Sequence, residues 1–457
     1  MGTQGEVAVD DGARPPMAGG RTRETATLLL VAGVTVLLSV RLFVFVHRHS
    51  VNLLFSDQWR FWQGLFDGAD LWTMWRWQVG PIRQGLGQMI VVAVAHLSGW
   101  NVRAETFVSA GIVSLAAALA LGIAGKLRGR LSPADVFIPL VVLTVSQHEL
   151  IVGTPNPAHG PLPLLFVMVF GLGLLVERPA LRVGILSVTA FIATQTGFGL
   201  FLSVVAVPVL GVLLADAIRR RTAVWAHIAG LGLVLASFAL FFYGYQPNPD
   251  VACFAFPDPR PERYPLFLSF LFLRSLETLG EGFRVYVGFA LVLACVGLTA
   301  WSGWRTLASW GREGLPRVVF VLSAFTLLFA LNSALGRACL GPEGAYSTRY
   351  VPYLIPFFVA GYLFLSTKLR SPRARAAILG AVCLLWATKE AIWTERWSVP
   401  EAGVWTRQKT AWLDCYSQLE NTRVCTGMYS LGAADVERDH IVEKVRFLRE
   451  HKLGFFR

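Results

Sequence analysis

Apolar stretches of about 17–22 residues recur along this chain, the length a helix needs to cross a ~30 Å hydrocarbon layer. They run at 26–47, 104–125, 136–150, 161–176, 182–196, 198–217, 223–244, 284–301, 317–334, 351–367 and 375–392. Charged residues make up only 15% of the 457 residues, against roughly 25% in a soluble domain. A transmembrane barrel would show short alternating segments instead. The expected fold class is therefore all-α, a polytopic transmembrane helical bundle of about eleven spans.

The net charge of +12 raises the question of nucleic acid, but its placement excludes that partner. The basic residues cluster between spans: Lys126, Arg128 and Arg130; Arg178 and Arg182; Arg219 to Arg221; Arg305, Arg312 and Arg317; Lys368, Arg370, Arg373 and Arg375. The intervening connections near 150–161 and 195–198 hold no Lys or Arg. This is the positive-inside alternation. It predicts a cytoplasmic N-terminus and an extracytoplasmic C-terminus in a bacterial-type plasma membrane.

Residues 1–24, rich in Gly, Pro and charge, are expected as a disordered cytoplasmic tail, with 25–393 as the membrane domain. Within it, 48–103 form an outer loop, in which 59–75 and 81–100 are expected as two interfacial helices. Trp59, Trp62, Trp72, Trp75, Trp77 and Trp100 support this, since indoles favour the headgroup layer. Residues 264–283 are ambiguous between a re-entrant and a surface helix. Residues 394–457 are expected as a small extracytoplasmic segment with one amphipathic helix near 439–451. Cys253, Cys339, Cys415 and Cys425 fall on the outer side, where disulfides persist, and Cys415–Cys425 is the expected bridge.

Asp57, in Phe55-Ser56-Asp57-Gln58-Trp59, follows the first span on the outer side. A carboxylate there suits a general base or a ligand to a divalent cation, Mg or Mn. It equally suits a helix N-cap. Glu149, with His148, ends the third span on the same side, and His159 lies in the loop that follows. It is either a second acid and metal ligand or a solvated helix end. Arg337, Arg349 and Tyr350 lie in the outer stretch 332–350, where a guanidinium can hold a phosphate while its stem stays in the interface. Arg83 and Arg284 are further candidates. There is no Walker-type loop, dinucleotide glycine fingerprint or HExxH motif. A donor is thus expected to arrive within the membrane.

One span, an outer loop with an acid, two interfacial helices and then a bundle resemble the GT-C type of integral-membrane glycosyltransferase. The blocks Trp77-Gln78-Val79-Gly80-Pro81, Gly99-Trp100-Asn101 with Arg103-Ala104-Glu105, Gln147 to Gly153, and Gly336-Arg337 through Ser347-Thr348-Arg349-Tyr350 carry that resemblance. It implies transfer of a sugar from a polyprenyl-phosphate donor to an extracytoplasmic glycan, lipid or protein acceptor. Asp57 and Glu149 would be the catalytic acids and possible metal ligands. Arg349, Tyr350, Arg337 and Arg83 would contact the donor phosphate, and Gln58, Trp59, His148 and His159 the substrate. Many members carry paired acids in the first loop, whereas here Gln58 follows Asp57. The rival is a transporter or lipid-linked-glycan flippase, which should show repeats and ionisable or broken-helix sites at mid-membrane; a non-catalytic envelope-assembly protein is a third reading.

Overall fold

A computed structural model describes residues 19–247, 251, 253–276 and 284–457 of the chain. Eight helices in it are long and apolar enough to cross a membrane: Glu24–His49, Val102–Arg128, Gly197–Arg220, Val224–Phe242, Val285–Ala308, Gly314–Ala345, Thr348–Lys368 and Pro372–Leu419. Three of the shorter apolar segments, Pro133–Gln147, Pro161–Gly173 and Pro179–Thr194, account for the remaining expected spans. The architecture is an all-α polytopic bundle. Among the described residues the only strands are Gln78–Val79 and Ile82–Arg83, paired antiparallel. The first helix starts at Gly19, so the boundary expected at Glu24 falls inside it, and residues 1–18 lie outside the described residues.

Small residues bring the central helices together. Ala110, Ala116, Ala117, Ala120 and Ala124 form a buried stripe on Val102–Arg128, where Pro161–Gly173 packs. Without a large side chain in the way, two helices approach closely and gain dispersion contacts in a medium that offers little hydrophobic drive. On the far side Gly314–Arg337 and Val351–Lys368 pack together through Phe325, Phe329 and Tyr353, the last two rings stacked at 4.0 Å.

The third expected span is not one regular helix. It runs as a 3-10 turn Pro133–Val136, a six-residue helix Phe137–Val142, a 3-10 turn Val145–Gln147 and a π turn Glu149–Gly153. Side chains close the break. Gln147 Nε2 donates to the carbonyls of Val142 and Thr144 at 2.9 and 3.0 Å, and Thr144 Oγ1 accepts from Ser146 N. Irregular backbone is tolerated at such depth only where protein buries it, and here every residue from Val141 to Gly153 is buried.

The outer loop also departs from expectation. Residues 59–75 form three short pieces, Gln58–Phe61, Gln63–Phe66 and Leu71–Trp75, because Gly68 turns into a positive φ of 64° and Asp70 caps a new helix by accepting from Thr73 N. A hairpin precedes the single helix Gly85–Ser98, whose 14 residues span about 21 Å. Trp59, Trp62 and Trp100 are buried in protein and present almost no surface to headgroups. They join Trp412, Tyr416, Ile441, Val445 and Leu448 of the C-terminal segment in a second hydrophobic core, separate from that of the bundle. The amphipathic helix expected near 439–451 is Ile441–Glu450. The long Val399–Leu419 and the short Thr422–Met428 complete the segment.

The charge-free connections knit together beneath this cap. Gly197 adopts φ 57°, and a Cβ there would stand 1.9 Å from the Ala158 carbonyl oxygen; one on Gly85 (φ 43°) would stand 2.1 Å from that of Gln195. Asn156 Nδ2 donates to Gln84 Oε1 at 3.0 Å across the same junction. These loops lack Lys and Arg because they are buried, which gives the charge alternation a packing reason as well.

Candidate functional site

Glu149 and Arg349 meet as a direct ion pair, joined across 200 residues of chain. Arg349 Nη2 and Nε lie 2.5 and 2.7 Å from Glu149 Oε1. Glu149 Oε2 accepts from Ser347 Oγ (2.7 Å), Thr348 Oγ1 (3.2 Å) and the Arg349 backbone N–H (3.1 Å). The guanidinium and the two hydroxyls supply the partners that a carboxylate enclosed by protein requires. Arg349 is one-third exposed, and its Nη1 makes no hydrogen bond among the described residues.

Asp57 stands nearby, its charge within electrostatic reach of Arg349. It precedes Gln58–Phe61 without capping it. Its Oδ1 instead accepts from Arg60 Nη2 at 2.5 Å, and Arg60 Nε faces Asp439 of the C-terminal segment at 3.6 Å. Oδ2 has no hydrogen bond among the described residues, and the side chain is 26% exposed. The loop is pinned from above: Ser56, strained at φ 53°, donates its N–H to the Leu431 carbonyl and accepts from Ala433 N. On the cap side, burial would raise Asp439, but the Arg438 side chain, the Asp435 N–H and Arg60 together hold it low.

Arg337 and Tyr350 form a second pair. Arg337 Nη1 donates to the Tyr350 hydroxyl at 2.6 Å. Both line a cavity of about 390 Å³ whose other walls are Phe198, Tyr245, Phe254, Phe256 and Leu335 with Asn332 and Ser333. Phe256, 68% exposed, and Phe254, 46% exposed, stand at its mouth. The disulfide Cys253–Cys339, with a Cα separation of 6.0 Å, ties this aromatic wall to the turn that follows Arg337. The 3-10 turn Thr348–Tyr350 advances about 120° per residue. Arg349 is thereby directed to Glu149 and Tyr350 to the cavity. One turn serves both clusters.

The other expected contacts lie elsewhere. Gln58 is buried, its amide engaged with Phe55 N, Pro155 O and Glu105, and Trp59 is equally buried. His148 is enclosed, with Nε2 at 3.4 Å from Glu401 and its ring against Trp405. His159 packs edge-on to Phe198 and Tyr353, near the cavity floor. Arg83 gives its guanidinium to the carbonyls of Arg76, Phe241 and Tyr243, and lines a different cavity. The side chain of Arg284 lies outside the described residues. Cys415–Cys425 is bridged, as expected.

A divalent cation does not fit the two acids considered for it. Each carboxylate already faces its own guanidinium, and the oxygens of Glu149 are taken by five donor contacts. Among the described residues no group of three or more His, Cys, Asp or Glu is placed to ligate a metal.

Further buried charged residues support the site, and of these only Glu105 falls in a block that the sequence singles out. Lys409 is buried and donates to the carbonyls of Val152 and Gly153 at 2.8 Å each, closing the π turn that carries Glu149. Glu105, also buried, accepts from Trp62 Nε1 at 3.2 Å. Glu390 joins Lys389 (2.9 Å), Arg41 (2.9 Å) and Thr144 in a buried polar network on the π helix Lys389–Ser398. Lys409 and Lys389 carried no local signal, since a lysine in a polar tail or at a span's end normally reads as solvated. Comparison with protein-family models, curated proteins and solved structures gives no match.

Proposed function

We propose that this membrane protein is a glycosyltransferase that takes a sugar from a polyprenyl-phosphate donor and passes it to an acceptor hydroxyl on the extracytoplasmic side. The observation that carries the reading is the pairing of a largely apolar cavity lined at one place by Arg337 and Tyr350 with the Arg349–Glu149 pair and Asp57 across one turn. An isoprenoid tail suits aromatic and aliphatic walls, and a phosphate suits the guanidinium and phenol at their polar end. In this reading Arg349 Nη1 stabilises charge on the departing phosphate. Glu149 fixes Arg349 in place, and the unengaged Oδ2 of Asp57 removes the proton of the attacking hydroxyl. Both disulfides fall in connections assigned to the outside, which supports that side as the oxidising one.

The test is turnover by purified protein with a synthetic short-chain polyprenyl-phosphate sugar and a panel of envelope acceptors. Asp57→Asn is expected to lower sugar transfer by about two to four orders of magnitude, the usual worth of a general base, with expression unchanged. Transfer at the wild-type rate would remove Asp57 from the chemistry.

One observation favours the rival. The broken segment 137–153 and the buried Lys389 and Glu390, joined to the half-buried Arg41, are features of transport pathways. Flux of a fluorescent lipid-linked glycan across proteoliposomes, without any sugar transfer, would support that reading instead.

A further inference from the structure

Beside the hairpin Gln78–Val79/Ile82–Arg83 lies a polar cavity of about 480 Å³ that the proposed transfer does not use. Its lining includes Thr73, Arg76, Trp77, Gln78, Arg83 and Gln246. A partition separates it from the aromatic cavity: Gln78 Nε2 donates to the Gln246 carbonyl at 2.7 Å, and Tyr245 OH to that of Pro81 at 3.1 Å.

Two cations stand in this cavity without a counter-charge. Neither Arg76 nor Arg83 makes an ion pair among the described residues. Arg83 is almost wholly buried, and burial together with the neighbouring Arg76 pushes its guanidinium below the usual value. Its donors are consumed by the carbonyls of Phe241, Tyr243 and Arg76. Arg76 is differently placed. Only Nη2 is engaged, to the Tyr243 carbonyl at 2.6 Å, while Nε is shielded and unpartnered. The rings of Tyr243 (4.5 Å) and Trp72 (5.6 Å) hold the guanidinium in position. Gly244, at φ 63°, permits that approach, for a Cβ there would stand 2.7 Å from Arg76 Nη2.

A buried cation next to a second one is costly unless an anion joins them. The Thr73 hydroxyl donates to Asp70 Oδ2 and the Gln78 amide to the carbonyls of Gly80 and Gln246, so the open donors are those of Arg76, whose planar fork matches the oxygens of a phosphate. We infer that the cavity formed by Thr73, Arg76, Gln78 and Arg83 binds a phosphate-class anion, separately from the aromatic cavity. The anion comes either from a soluble diphosphate or from an anionic lipid headgroup. Exposed Leu71, Trp72, Phe242 and Tyr243 around its rim place both within reach.

The test uses full-length protein in nanodiscs of phosphatidylcholine alone or mixed with phosphatidylglycerol, with inorganic diphosphate as the soluble probe. Saturable, salt-sensitive binding of diphosphate in phosphatidylcholine discs, weakened about tenfold or more in Arg76→Gln and recovered in Arg76→Lys, assigns the site to soluble phosphates. A rise in melting temperature on phosphatidylglycerol alone, lost in Arg76→Gln and recovered in Arg76→Lys, assigns it to lipid. Arg83→Gln takes no part in the decision, since its guanidinium holds three carbonyls in place. The inference is overturned if neither probe acts on the wild type, or if Arg76→Gln responds as the wild type does. No sugar transfer enters the readout, so a failed transferase assay leaves the result intact.

Discussion

At Glu149 both carboxylate oxygens accept hydrogen bonds, whereas at Asp57 one oxygen stays open. Both are eligible as catalytic acids by position, Glu149 at the end of a span and Asp57 in the loop after the first one. What separates them, the convergence of Ser347, Thr348 and Arg349 on one of them, depends on contacts 200 residues apart that no local pattern carries. The division has an energetic consequence. Removing the cation beside an enclosed carboxylate leaves that charge uncompensated. Because Arg349 is one-third exposed, the cost falls below the roughly 3–5 kcal/mol of a fully buried pair, while removing both partners costs far less. Arg349→Gln is therefore expected to lower the thermal stability of detergent-solubilised protein by several degrees. Glu149→Gln combined with it is expected to recover more than half of the loss, and binding of a polyprenyl phosphate stays weak in both variants. Losses that simply add in the double variant would show that the pair is not coupled.

At the scale of elements, long apolar helices were readable because their length and charge boundaries are local properties. The break between Val142 and Glu149 was not, because every residue there is compatible with a helix. It arises where the side chains of Thr144 and Gln147 take over backbone partners inside a packed bundle. The C-terminal segment was likewise underestimated: its composition is polar, yet Trp412, Ile441, Val445 and Leu448 complete a core with the first outer loop. Lys444 offers a handle on that docking. Burial brings its amine down to about 8, against the opposing pull of Asp439, Asp67 and Glu443 and with Arg60 adding to the decrease, while Nζ donates to the Trp59 carbonyl. The folded value lies below the unfolded one of 10.5, so between about pH 8 and 10.5 the unfolded segment holds more protons. Docking is expected to strengthen across that window, by roughly 3 kcal/mol, as the amine becomes neutral in place. Urea titration followed by tryptophan fluorescence at pH 7.5 and pH 10 reads this. Lys444→Met should show a flatter profile, and an identical profile in the variant would remove Lys444 as the cause.

For the molecule as a whole, the helical bundle follows from hydropathy, and the alternation of basic and charge-free connections predicts a direction across the membrane that remains a proposal. The disulfide Cys253–Cys339 adds a constraint that spacing alone did not indicate, fastening the wall bearing Phe254 and Phe256 to the turn after Arg337. In the proposed function this cavity holds the lipid of a phosphate-linked donor with its phosphate at Arg337 and Tyr350. Photo-crosslinking with a benzophenone-tagged polyprenyl phosphate in nanodiscs, followed by peptide mapping, tests it directly. The label is expected in the segments around Phe254–Phe256 and 332–350, displaced by untagged polyprenyl phosphate and reduced about tenfold in Arg337→Ala. Label spread evenly over the lipid-facing helices, or concentrated elsewhere and unchanged in that variant, would contradict the account.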